Sequence, residues 1–336
     1  METRPNLFHF ATSELSQDAV LCWMLSWAKP EHQAASAALH QLGVGFLGLI
    51  FKKAGKTPPP VFSSVEVRRQ AGHIDVLCLI NGTTAVLIED KTRSKQHSEQ
   101  LPRYVAHVST TYDVPVQNII PVYIQTGGQS DYREVTKHGY VVLERIDLLG
   151  LLEDNAGREA RKASDILDDF GVHLRHIEDD VQSFLSLPLD KWSWNAWMGF
   201  YTCIQAALGD GEWDYVPNAA GGFLGFWWHF VSSDDCEIYL QLEQEKFCFK
   251  IVMPDGERRR SLREHWHALI LSKCPARGLR AKRPARFGNG QYMTVAILDQ
   301  EFRQLGADGR FDINATIHVL KSAQGVLDDC LTATAG

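Results

Sequence analysis

Gly72 to Lys91 reads GHIDVLCLINGTTAVLIEDK, and this stretch decides the fold of the first half of the chain. Two apolar runs are joined by Asn81-Gly82, the dipeptide best suited to a two-residue hairpin turn with positive φ at both positions. The second run, Ala85 to Ile88, is continuously apolar, the pattern of a strand buried on both faces. It ends in Glu89-Asp90-Lys91. Side chains two apart share a strand face, so Glu89 and Lys91 point one way and Asp90 the other. A hairpin then brings Asp75 of the first strand beside Glu89 and Lys91. Among all lysines of the chain, Lys91 alone has an acidic residue two positions before it.

An aspartate, a short gap and Glu-x-Lys on adjacent strands resemble the core of the PD-(D/E)XK nuclease superfamily. Two flanking features extend the resemblance over roughly residues 10–145. Gln100 and Tyr104 lie four apart, on one helical face, and match the Gln-x-x-x-Tyr element of the recombination-exonuclease branch. Ser13 to Gln17 opens an apolar helix whose Glu14 stands where family members place a helical carboxylate. One departure is the absence of a Pro-Asp pair, since Ile74 precedes Asp75.

The resemblance implies a restriction-endonuclease-like α/β core, with a mixed central sheet flanked by helices. It also implies Mg²⁺ or Mn²⁺ held by Asp75, Glu89 and the main-chain carbonyl of Asp90. Glu14 supplies a further carboxylate, with Asp18 one turn on as its competitor. Hard divalent cations take carboxylate oxygens and water, and an ion so held activates water and stabilises charge on a scissile phosphate. Lys91 would position the attacking water, while Gln100 and Tyr104 would contact phosphate or a base. Arg93, Lys95 and Arg103 would face phosphates, and His73 shares the strand face of Asp75. Cleavage would leave a 5′-phosphate, with DNA the expected substrate and RNA the open alternative, because this active-site chemistry is indifferent to a 2′-hydroxyl. The competing reading is a plain Lys91–Glu89 ion pair at a sheet edge, worth under about 1 kcal/mol when exposed. A catalytically silent binding protein, or a partner-gated component of a restriction or phage-defence system, is the functional alternative.

Bulk composition agrees with an ordinary globular chain: 336 residues, 45% hydrophobic and 22% charged. At a net charge of −7 the chain is not a generally basic nucleic-acid binder, so any such contact comes from local patches. Seven cysteines are scattered without a Cys-x-x-Cys pair. That pattern suits reduced, cytoplasmic thiols and speaks against an iron–sulfur cluster. No apolar run approaches membrane-spanning length, and no membrane partner is expected.

Along the chain, helices are expected at about 14–28 and 33–53, and strands at 61–70, in the hairpin, at 119–125 and at 140–143. A helix beginning near Ser98 accommodates Pro102 in its first turn, and another spans 146–152. The reading is a nuclease-like domain over 1–155, a helical connector over 156–188 and an α+β accessory domain over 189–336. The last contains seven of the nine tryptophans, of which Trp192, Trp194, Trp197, Trp227 and Trp228 are expected chiefly in a core. Long β-like runs at 222–231 and 237–253, a strand at 293–298 and helices at 194–208, 259–273 and after 314 complete it. Within it, Lys273, Arg277, Arg280, Lys282, Arg283 and Arg286 form a basic stretch free of acids, suited to gripping a nucleic-acid backbone without reading sequence. This domain is also the expected contact for a homo-oligomer or protein partner.

Overall fold

The computed structural model describes residues 4–92, 94, 100–218, 221–233 and 236–334. The chain divides into two compact units, 1–179 and 180–336. In the first, the order is α1 (Glu14–Ser26), α2 (Ala37–Lys53), β1 (Val65–Ala71), β2 (Ile74–Ile80), β3 (Thr84–Lys91), α3 (Gln100–Tyr112) and β4 (Ile119–Gln125). It continues through α4 (Arg133–Lys137), β5 (Val141–Glu144), α5 (Arg145–Glu153), α6 (Asn155–Lys162) and α7 (Asp165–Gln182).

The strands form one mixed sheet in the order β1-β2-β3-β4-β5. β1, β2 and β3 pair antiparallel, whereas β3–β4 and β4–β5 are parallel. β3 is therefore central, which is why its apolar run needs no polar face. Val86 and Ile88 pack with Leu21, Met24, Phe46 and Ile50 of α1 and α2 on one side. Ala85 and Leu87 pack with Leu101 and Val108 of α3 on the other. Pro102 falls in the first turn of α3, where its missing N–H costs nothing; Ser98 itself lies outside the described residues.

The hairpin differs from the two-residue turn expected. Asn81 and Gly82 do have φ of 51° and 65°. Yet Ile80 pairs with Thr84, so the connection includes Thr83 as well. The Asn81 carboxamide explains the fixed turn, because its oxygen accepts from Ser63 and Ser64 while its nitrogen donates to the Val61 carbonyl. Residues 156–179, read from sequence as part of a connector, pack into the first unit: Ala160, Leu167, Phe170 and Leu174 belong to the α1–α2 core.

The second unit contains α8 (Trp194–Leu208), β6 (Glu212–Val216), β7 (Phe223–Ser232), β8 (Glu237–Glu243), β9 (Lys246–Val252) and α9 (Arg259–Lys273). After these come β10 (Ala281–Lys282), β11 (Tyr292–Leu298), β12 (Gln304–Leu305), β13 (Phe311–Asp312) and α10 (Ile313–Thr334). A six-stranded sheet runs β10-β11-β9-β8-β7-β6, antiparallel throughout. The 237–253 run is a hairpin of β8 and β9 rather than one strand, turning at Gln244 with φ of 51°. Trp192, Trp197 and Trp228 are buried as expected, but Trp194 is 45% exposed. No helix among the described residues is long and apolar enough to cross a membrane.

One glycine fixes the placement of α1. A Cβ at Gly43 of α2 would lie 2.5 Å from the Ala28 nitrogen and 2.9 Å from the Met24 oxygen, both backbone atoms that cannot yield cheaply. Gly43→Ala should therefore destabilise the protein by about 1–3 kcal/mol, read as a lowered urea midpoint. An unchanged midpoint would mean that α1 and α2 are free to separate.

Candidate metal centre at the end of the central strands

The pairing of β2 with β3 is recorded as far as Val76 opposite Ile88, and one step further along lie Asp75 and Glu89. A hydrogen bond of 2.9 Å from the Asp90 amide to Asp75 Oδ2 ties the two strand ends together. Lys91 Nζ sits 2.7 Å from Glu89 Oε1, 3.6 Å from Asp75 Oδ2 and 2.9 Å from the Asp90 carbonyl oxygen. Those three oxygens are the donors that the sequence singles out for a metal. They converge on one cationic point, and the cation there is the protein's own ammonium.

The site is sheltered. Glu89 is 2% exposed and Lys91 8%, so the strand ends are buried rather than solvent-facing. Burial, and then the neighbouring Asp75, push the Glu89 carboxyl up to about 7, against the opposing pull of Lys91. Burial alone would lower Lys91, but Glu89 first and then Asp75 and Glu14 outweigh it and hold the ammonium firmly charged. Glu89 Oε2 is buried and has no hydrogen-bond partner. An orphaned carboxylate oxygen beside a convergent donor set, with more acids than cations around it, fits a divalent ion. No group of three or more His, Cys, Asp or Glu side chains is arranged to hold an ion among the described residues. The candidate set is thus two carboxylates and a main-chain carbonyl.

On the opposite face of β3, Asp90 is fully buried, which raises its carboxyl well above the usual range. Gln17 of α1 donates to Asp90 Oδ1 at 2.6 Å and accepts at 2.9 Å from Thr126 Oγ1, just past β4. Arg145 in turn donates to the Thr126 carbonyl and pairs with Glu178 at 2.8 Å. Gln70 bridges Asp18 Oδ2 and Asp75 Oδ1, each at 3.2 Å. Its φ of 54° is unusual for a residue with a side chain and aims that amide between the two acids. Sequence reasoning passed over Gln17, Gln70 and Thr126. Their only signal was position: each lies within a turn of, or at the end of, an element already implicated.

Glu14 begins α1 and accepts from the Thr92 amide at 3.2 Å and Ser94 Oγ at 2.6 Å, beyond the end of β3. Asp18, its competitor, is 1% exposed; burial and then Asp75 push it up to about 6. Both carboxyls thus border the cluster. Tyr104 is 7% exposed, and burial, then Glu89 and Asp75, raise its hydroxyl, which therefore remains a donor at neutral pH. Gln100 Oε1 is buried without a partner on the same face of α3. Arg103 is exposed next to them, while Arg93 and Lys95 lie outside the described residues. His73 is not on the strand: it sits exposed in the β1–β2 turn with φ of 71°.

The basic stretch of the second unit is not a free loop. It spans the end of α9, a 3₁₀ turn over Cys274–Arg277 and β10. Arg277 pairs with Asp329 at 2.7 Å, Lys282 with Asp299 at 2.6 Å and Arg283 with Glu264 at 3.1 Å. Acids distant in sequence neutralise what looks like an uninterrupted run. Lys273, Arg280 and Arg286 complete it; Arg280 and Arg286 are exposed.

Two measurements test this geometry. Gln17→Leu strands Asp90 Oδ1 and the Thr126 hydroxyl and should cost about 1–3 kcal/mol; a change below the error of a denaturant melt would show that the chain of bonds contributes little. For pH, Glu89 rises from 4.5 to about 7 and Asp18 from 3.8 to about 6 on folding. Between those values the folded state binds more protons than the unfolded, so metal-free stability should fall as pH climbs from about 4 to about 7, by at most roughly 3 kcal/mol per group. Melting in EDTA that rises over that window would contradict the assignment. Comparison with protein-family models, with curated proteins and with solved structures finds no match to this chain.

Proposed function

We propose that the first unit is a metal-dependent nuclease that hydrolyses phosphodiester bonds in DNA with Mg²⁺ or Mn²⁺ and leaves 5′-phosphate ends. The observation that carries this reading is the convergence of Asp75, Glu89 and the Asp90 carbonyl on a single cationic point at a sheltered sheet end. These donors would hold the ion, with Glu14 at the rim. When bound, the ion activates water and takes up charge on the phosphate.

The chain's own groups do the rest. Asp75 is oriented at both oxygens, Oδ2 accepting from the Asp90 amide and Oδ1 from Gln70, so the plane of its carboxylate is fixed. Lys91 leaves the cradle by rotation about its side-chain bonds and donates to the attacking water or to a phosphate oxygen. There a compact ammonium stabilises developing negative charge. Tyr104, kept protonated, donates to a phosphate oxygen. The Asp90–Gln17–Thr126 chain keeps the main chain of β3 from shifting as Lys91 moves. DNA is the substrate that the resemblance of the Asp75, Glu89, Lys91, Gln100 and Tyr104 pattern implies, while the same groups would serve RNA, whose 2′-hydroxyl they do not read.

A second reading has its own supporting observation. Lys91 fills the cradle that the ion would need, which is how a component held silent until a partner or signal arrives would rest. The test uses linear and circular duplex DNA, single-stranded DNA and RNA with Mg²⁺, Mn²⁺ or EDTA, comparing wild type with Lys91→Ala and Asp75→Asn. Metal-dependent cleavage reduced by about 10²–10³-fold or more in either variant is expected. Full activity in Lys91→Ala would remove the lysine from the mechanism. Mn²⁺ binding without cleavage would favour the gated component, and neither binding nor cleavage would sink the metal centre.

A further inference from the structure

We infer that the second unit carries a docking surface for a nucleic-acid phosphate backbone, built from the first turn of α9 and the loop 283–288. The nuclease reading contributes only the choice of DNA as the polyanion. The surface itself stands on the residues of this unit.

α9 starts on Arg258, Arg259 and Arg260, with no acid in its first turn and no side chain capping its free amides. A helix N-terminus carries partial positive charge and ordinarily takes Asp, Glu, Ser or Thr. Successive arginines there work against the stability of the helix. Together with the open amides they make an attractive end for phosphate. Arg259 is committed to the Met253 and Pro254 carbonyls, and its neighbour Arg260 is exposed.

The loop 283–288 is locked against the next turn of α9 through Arg263, which shares a helical face with Arg260 three residues before it. Phe287 lies between two guanidinium groups, with Arg263 of α9 at 4.4 Å and Arg283 at 4.1 Å from its ring centroid. Arg263 also donates to the Phe287 and Gly288 carbonyls. It is 8% exposed, and its buried Nε has no hydrogen-bond partner. This stack presents Arg286 to solvent, followed by Gly288-Asn289-Gly290, where no bulky side chain obstructs an approaching backbone. Among the described residues no acid pairs with Arg260 or Arg286, whereas Arg277 and Lys282 are neutralised by Asp329 and Asp299. The phosphate-binding positions are therefore Arg260 and Arg286, not the whole 273–286 run. On a chain of net charge −7, such a patch gives local attraction that the whole molecule lacks.

The experiment is fluorescence anisotropy of the full-length protein with labelled duplex and single-stranded DNA in EDTA, so that no cleavage intervenes, over a salt titration. Arg260→Gln/Arg286→Gln should weaken binding at least about tenfold and flatten the log–log salt slope by about two. Its melting temperature should stay the same or rise, because an opposed charge leaves the start of α9. Arg277→Gln, whose charge Asp329 already neutralises, should bind as wild type. Wild-type affinity and slope in the double variant would overturn the inference. So would a wild-type protein that ignores DNA yet binds polyglutamate, which would assign the patch to an acidic protein. Loss of cleavage with DNA binding intact would count against the nuclease reading alone.

Discussion

The bond from the Asp90 amide to the Asp75 carboxylate holds the strand ends in register, and the rest of the candidate site hangs from it. β2 and β3 leave their ladder at this point, where an unsatisfied amide and a free carboxylate would otherwise fray. Closing them on each other keeps Asp75 within reach of Lys91 and turns the Asp90 carbonyl toward the same ammonium. The parallel pairing of β3 with β4 then brings Gln125 and Thr126 alongside. Through Thr126, and through Gln17 from α1, the ends of the central strands are fastened to a helix on one face. The site is thus a property of how strands terminate.

Much of this architecture was legible in the sequence. The continuous apolar run of β3 fixed it as a central strand, and alternation placed Glu89 and Lys91 together with Asp90 opposite. β4, α2 and α8 follow their hydrophobic patterns closely. What escaped were features set by distant partners. The three-residue connection after Ile80 depends on Asn81 bonding back to residues 61–64, and no local propensity encodes that. Short strands such as β10, β12 and β13 have too few residues to show a period. α6 and α7 read as a charged connector because their buried faces are narrow, yet Leu167, Phe170 and Leu174 reach the core.

The candidate site was legible in part, and for a definite reason. Residue types with few alternatives, acids flanking a lysine at a strand end, are visible without coordinates. Glutamines are not, because Gln17 and Gln70 act only through the acids they bridge. The basic stretch is the opposite case. Linear sequence displays its charges but hides Glu264, Asp299 and Asp329, which pair with three of them, and it separates Arg263 from the loop that packs against it.

Lys91 in the cradle also has a consequence for selectivity between ions. In the metal centre proposed above, Lys91 already neutralises the acids, so uptake of an ion would be an exchange of one cation for another. The resident ammonium would then set a threshold: an ion too weakly charged or too large to outcompete it would gain nothing by entering. Deleting that ammonium would lower the threshold and yield a stronger, less discriminating chelator. The lysine proposed to stabilise the phosphate's charge would thereby also keep the site from filling with whatever cation is most abundant.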